Sequence, residues 1–120
     1  IARSTDTGQT FSPAVKVNDL NNSAYQSIAQ GADGKIYVAY ASYSDNDWGT
    51  VGGIYMTWSE DNGVTFKPSV NVNDQPVGPL GEGGSIGFPS IAVSEQGQVY
   101  VNWTDTRDGM NIYFAASNIP

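Results

Sequence analysis

Apolar and aromatic residues occur along this chain in short runs separated by clusters of Gly, Asn, Asp and Ser, and no run follows a helical period. Segments rich in Val, Ile, Tyr, Phe and Trp predict first strands at residues 26–30 and 89–93, and second strands at residues 36–42 and 99–104. A third strand is predicted at residues 54–59, with counterparts at 1–4 and 112–117. A fourth is predicted at residues 64–72, with a counterpart at 9–17. Asp33-Gly34 and Gln96-Gly97 mark tight turns between first and second strands. Within "IYVAY" (residues 36–40) and "VYVNW" (residues 99–103) large groups stand at successive positions, so both faces of these strands are expected to be covered. The pattern is that of an all-β, antiparallel protein.

The chain repeats itself. "STDTGQTF" (residues 4–11) lies over "SEDNGVTF" (residues 59–66) at an offset of 55, and the match continues through "FSPAVKVND" and "FKPSVNVND". "YQSIAQGADGKIYVAY" (residues 25–40) then lies over "FPSIAVSEQGQVYVNW" (residues 88–103) at an offset of 63. The difference is an insertion in the Gly-rich stretch at residues 76–87. "IYFAAS" (residues 112–117) likewise resembles "IYMTWS" (residues 54–59). Repetition at roughly 50 residues is the mark of a propeller or solenoid.

The shared Ser-x-Asp-x-Gly-x-Thr-Phe pattern has a local physical reading. A carboxylate at Asp6 or Asp61 turns back to accept backbone N–H groups of a hairpin, Gly8 and Gly63 permit a positive φ, and Phe11 and Phe66 anchor the returning strand. This pattern resembles the Asp-box, or bacterial neuraminidase repeat, of sialidases and of many non-enzymatic secreted propellers, and the resemblance spans nearly the whole chain. It implies about two four-stranded antiparallel blades of a sialidase-like β-propeller, incomplete as a single chain. By that resemblance Ser4, Asp6, Gly8, Thr10, Phe11, Ser59, Asp61, Gly63, Thr65 and Phe66 are structural, at a turn between third and fourth strands on the side opposite a substrate site.

Residues 1–24 then form the end of one blade, residues 25–73 a full blade with its box at 59–66, and residues 74–120 most of a further blade. Propellers have 4–8 blades, so the remaining blades are expected from a longer parent chain or from identical copies. A degenerate or truncated third box falls at residues 117–120, with Ile119 in the Asp position.

Composition narrows the chemistry. A 39% hydrophobic content supports a packed core, and the net charge of −7 disfavours nucleic acid and anionic membrane surfaces as partners. No apolar run reaches the roughly 20 residues of a membrane helix, so no membrane insertion is expected. With no Cys and no His, disulfides, thiol nucleophiles, imidazole bases and the usual zinc ligands are excluded. Extracellular or cell-surface location follows from the resemblance.

The loops that the resemblance assigns to a functional face carry two clusters. In residues 42–53, Asp45, Asp47 and Trp48 combine carboxylates with an aromatic that suits stacking on a sugar ring, or covering a neighbouring blade. The same Asp-Asn-Asp run offers oxygens to calcium, but its spacing stops short of an EF-hand loop, and no cofactor is expected. In residues 104–111, Asp105, Arg107 and Asp108 read either as a loop-holding ion pair or as an anion clamp through the bidentate guanidinium of Arg107.

A sialidase clamps its substrate with three arginines and uses a Tyr nucleophile paired with Glu; this chain has only Arg3 and Arg107 and lacks the family's arginine motif. No catalytic or metal-ligating set is therefore assigned. The leading expectation is a scaffold or glycan/protein-binding module. The alternatives are a segment of a sialidase-like exo-glycosidase with its catalytic residues elsewhere, and a self-assembling propeller subunit.

Overall fold

The computed structural model describes residues 1–44, 47–74, 87–105 and 109–118, with the backbone alone at residues 44, 47–52 and 118. Among the described residues seven strands form two antiparallel sheets. Strands β1 (Ser23–Gln30), β2 (Ile36–Ser44), β3 (Asp47–Ser59) and β4 (Val70–Asn71) pair in that order, and β5 (Gly87–Val93), β6 (Gln98–Asp105) and β7 (Asn111–Asn118) make the second sheet. Among the described residues there is no helix, and the two sheets do not close into a barrel or ring.

The tight turns form where Asp33-Gly34 and Gln96-Gly97 predict them. Gly34 and Gly97 both have φ +86°, and their N–H groups donate to the Gly31 and Ser94 carbonyls at 3.0 Å. A glycine in the left-handed region lets the returning strand keep the sheet's twist.

Third and fourth strands differ from their sequence-based bounds. β3 begins at Asp47 rather than residue 54, because residues 42–44 and 47–53 continue the β2–β3 pairing through register shifts between Ser42 and Ser44. The fourth strand shrinks from residues 64–72 to Val70–Asn71. Pro68 has no N–H for the ladder, and the box bends the chain before it. The Lys67 N–H still reaches the Trp58 carbonyl at 2.9 Å, and the Val72 N–H reaches that of Ile54 at 2.8 Å. Residues 1–4 and 9–17, with Pro13 in the same place, repeat this arrangement without regular strands. Val15 and Ile1 exchange two bonds of 2.7 and 2.8 Å, and the Ser12 N–H donates to the Arg3 carbonyl at 2.8 Å.

The second sheet lies on the first through β5, which crosses β1, β2 and β3. Tyr37, Ala39, Ala41, Tyr43, Ile54 and Met56 from the first sheet and Ile91, Val99, Val101 and Trp103 from the second form one apolar cluster. Every residue from Ile36 to Tyr43 is buried, so "IYVAY" is covered on both faces as its sequence predicts. "VYVNW" is not. Val99, Val101 and Trp103 are buried, but Asn102 is exposed and Tyr100 half-buried, because nothing among the described residues lies on the outer face of the second sheet.

On the first sheet's other face, residues 1–17 lean against Ile28, Ile36, Val38 and Tyr40 and leave two apolar grooves of about 580 and 540 Å³. At the end of that sheet Gly53 is fixed by close approach: a Cβ there would stand 2.7 Å from the Asn73 Oδ1 that accepts the Ile54 N–H. If burial between the sheets carries the stability, Met56→Ala should cost about 2–5 kcal/mol in urea unfolding. The same truncation at the exposed Met110 should stay within about 0.5 kcal/mol.

Candidate functional site

Both Ser-x-Asp-x-Gly-x-Thr boxes adopt the same hydrogen-bonded turn. The Ser4 and Ser59 hydroxyls donate to Oδ1 of Asp6 and Asp61 at 2.7 Å, and each accepts the Gly8 or Gly63 N–H at 2.8 Å. The same carboxylates accept the Thr10 N–H at 2.9 Å and the Thr65 N–H at 2.8 Å, while the threonine hydroxyls bond to Oδ2. Thr7 (φ +59°) and Asn62 (φ +61°) precede glycines that also have positive φ, as a type I′ turn demands. Asn accepts this region readily, but Thr is β-branched and strained there.

These bonds stabilise the ionised carboxylate. Asp6 and Asp61 are both lowered from 3.8 to about 2, chiefly by the threonine hydroxyls at positions 10 and 65. Such groups remain anionic and internally satisfied, which suits a turn lock and disqualifies them as proton donors at neutral pH.

Register places the second box, together with the Asp33-Gly34 turn, at one end of the first sheet, and the first residues of β1 and Gly53 of β3 at the other. Ser59, which opens the second box, pairs with Ile36 at the start of β2, whereas Ser23 and Gly53 pair with Ser42 near its end. At that far end three aromatics meet. Tyr25 and Phe88 pack with centroids 4.5 Å apart, and Tyr25 meets Tyr43 edge-on at 6.4 Å. Tyr25 is 43% exposed and Phe88 60%.

Both sit in the left-handed region, at φ +55° and +48°, within the same register shift of their sheets: between Ala24 and Ser27 in one, between Gly87 and Ser90 in the other. A bulky residue at positive φ is rare and strained, and such strain concentrates at functional positions. The bulge turns each ring out of the sheet alternation. Gly87 permits the approach, since a Cβ there would stand 3.1 Å from the Tyr25 ring.

Tyr43 is buried beneath this pair. Burial, and then the Tyr25 neighbour, push its phenol up to about 12, the opposite of what activates a phenol as a nucleophile. Nearby, the Tyr40 hydroxyl lies 2.6 Å from Ser69 Oγ and 3.2 Å from Asp19 Oδ1, and the Ser69 N–H donates to Asp19 Oδ2 at 3.1 Å. The Ser69 bonds hold the Asp19 carboxyl below its usual range. This clasp ties the segment before β1 to the segment before β4.

Of the ligand-face residues nominated from the sequence, Asp45, Arg107 and Asp108 lie outside the described residues. Asp47 and Trp48 belong to β3 by their backbone, and their side chains are also outside the description. Asp105 is fully buried and accepts the Trp103 indole N–H at 3.0 Å, which braces the end of β6. Tyr25 and Phe88 were not nominated. Their signal was an aromatic at the same repeat position, directly before each first strand's small residues.

Compared with known protein families and with curated proteins, the sequence matches none. The site therefore rests on its own geometry.

The depressed carboxylates set a pH dependence. A group whose folded pKa lies below its unfolded one contributes stability above the unfolded value and loses it as pH falls through the folded value. The boxes' contribution should be complete at neutral pH and fade as pH drops from about 5 towards 2. Asp61→Asn should lower the thermal midpoint by several degrees at pH 7 and flatten part of this decline, as read by circular dichroism melts across pH. Equal pH profiles for variant and parent would refute the assignment.

Proposed function

We propose that this chain is a segment of an Asp-box β-propeller of the sialidase-like type, comprising about two blades, and that it serves as a secreted or cell-surface scaffold with a glycan- or protein-binding end. The observation that carries the reading is the stacking of two sheets by opposite faces of the repeat, Tyr37 and Ala39 of the first against Val99 and Val101 of the second, with the self-satisfied second box at one end and the aromatic group at the other. Stacked four-stranded sheets are the building unit of propellers. Loops at strand ends are where such scaffolds bind.

The exposed rings of Tyr25 and Phe88 offer apolar faces of the kind that pack against the C–H face of a pyranose, and aromatic groups dominate binding energies at such surfaces. Binding without turnover fits the chemistry better than hydrolysis. The described carboxylates of the boxes are committed to turns, and the buried Tyr43 phenol is pushed away from ionisation.

A glycan array probed with the chain, alongside release of a fluorogenic sialoside, tests this reading. The expected result is retention on a subset of glycans with no release. Tyr25→Ala and Phe88→Ala should each weaken retention by about tenfold, roughly 1.4 kcal/mol. Release of the fluorophore, absence of retention, or retention that survives both substitutions contradicts it.

A further inference from the structure

We infer that the outer face of the second sheet is a docking surface for a second copy of this chain, which seats the Ile28, Ile36, Val38 and Tyr40 face of its first sheet there, head to tail. This goes beyond the binding role above. It rests on the stacked-sheet part of that reading and on no ligand.

The template is the interface already inside the chain. At an offset of 63, Ile28, Ile36, Val38 and Tyr40 correspond to Ile91, Val99, Val101 and Trp103, the residues by which the second sheet covers the first. The covered face, with Ser27, Ala29, Tyr37 and Ala39, corresponds to Ser90, Ala92, Tyr100 and Asn102. Ile54 and Met56 correspond to Ile112 and Phe114. Register confirms that these share one face: Ala92 pairs with Tyr100, and Asn102 with both Ser90 and Phe114.

That copy of the covered face is open. Ile112 is 71% and Phe114 62% exposed, and Tyr100 and Phe114 stack at 5.9 Å with no sheet among the described residues over them. On the complementary face Ile36, Val38 and Tyr40 are buried under residues 1–17, so a docked copy must displace residues 1–3, and only Ile28 stands open. Ile28 is 57% exposed, and the two grooves between residues 1–17 and β1 lie beside it. An exposed apolar sheet face of this kind, beside a groove whose floor is its repeat counterpart, is what an unfinished stack displays.

One polar contact should repeat as well. Across the internal interface the Ile91 N–H donates to Ser27 Oγ at 3.3 Å. In the docked pair the Ile28 N–H of one copy meets the Ser90 hydroxyl of the other. β7 and residues 1–3 hold the same place in the repeat, so β7 takes over the backbone bonds of residues 12–15, like for like.

Head-to-tail contacts either close into a ring or grow as fibres. With two sheets per copy, closure at about two to four copies matches the blade numbers of known rings. Each copy carries a charge of −7, so salt that screens this repulsion should strengthen the contact.

The test is light scattering of the chain from about 1 µM to about 1 mM, at low and high salt, with Phe114→Glu and Ile28→Glu. The expected parent mass rises with concentration and with salt. Each variant alone should be monomeric with an unchanged strand circular dichroism signal. An equimolar mixture of the two should form a one-to-one dimer that grows no further, because each supplies the face the other lacks. Ser90→Arg probes the same outer face should Phe114→Glu fail to fold. A parent that stays monomeric throughout overturns the inference, as does an Ile28→Glu variant that associates like the parent. Neither result bears on the glycan array, which reads the strand-end aromatics of a monomer equally well.

Discussion

One face of β2 has to leave water, and the rest of the architecture answers to that requirement. Tyr37 and Tyr43 bracket two alanines at 39 and 41, whose small side chains leave room for Ile91, Val99, Val101 and Trp103 to come close. Burying each large side chain fully is worth about 1.5–3 kcal/mol, so a sheet-on-sheet contact of this size outweighs any single turn or ion pair. The two surface ion pairs among the described residues, Lys35 with Asp33 and Lys67 with Glu60, add little by comparison.

Turn chemistry then decides how the strands are delivered to that contact. In each box a serine hydroxyl, a carboxylate and a threonine satisfy one another and the turn's N–H groups, so the bend is closed by local bonds and needs no ligand. Register sets the second bend at the end of the sheet away from Ser42 and Gly53, and among the described residues no box of this kind stands at the opposite end. The strained aromatics at positions 25 and 88 gather there.

Much of this was legible in the residues themselves. Alternation and turn pairs located β1, β2, β5, β6 and β7, and the repeated box announced its own hydrogen bonds through the spacing of Asp and Gly. The fourth strand misled because Val, Thr and Phe around residues 64–72 favour a strand while Pro68 denies the ladder a donor. The reading of "VYVNW" as covered on both faces failed for a different reason. Large groups at successive positions report which faces are apolar, not whether a covering layer lies among the described residues. Tyr25 and Phe88 escaped notice since a positive φ at an aromatic leaves no trace in composition. The burial of Asp105 and its bond to the Trp103 indole were not legible either, because spacing alone does not show which way a strand-end acid turns.

The account stands or falls on which faces meet between the sheets. Methyl and aromatic NOEs on a labelled sample report this directly. The expected pattern links Met56 and the Tyr37 ring to methyls of Ile91, Val99 and Val101, with no contact from those methyls to Ile28 or Val38 in the monomer. NOEs joining Ile91 and Val101 to Ile28 and Val38 of the same chain, or none between the two sheets, would contradict it.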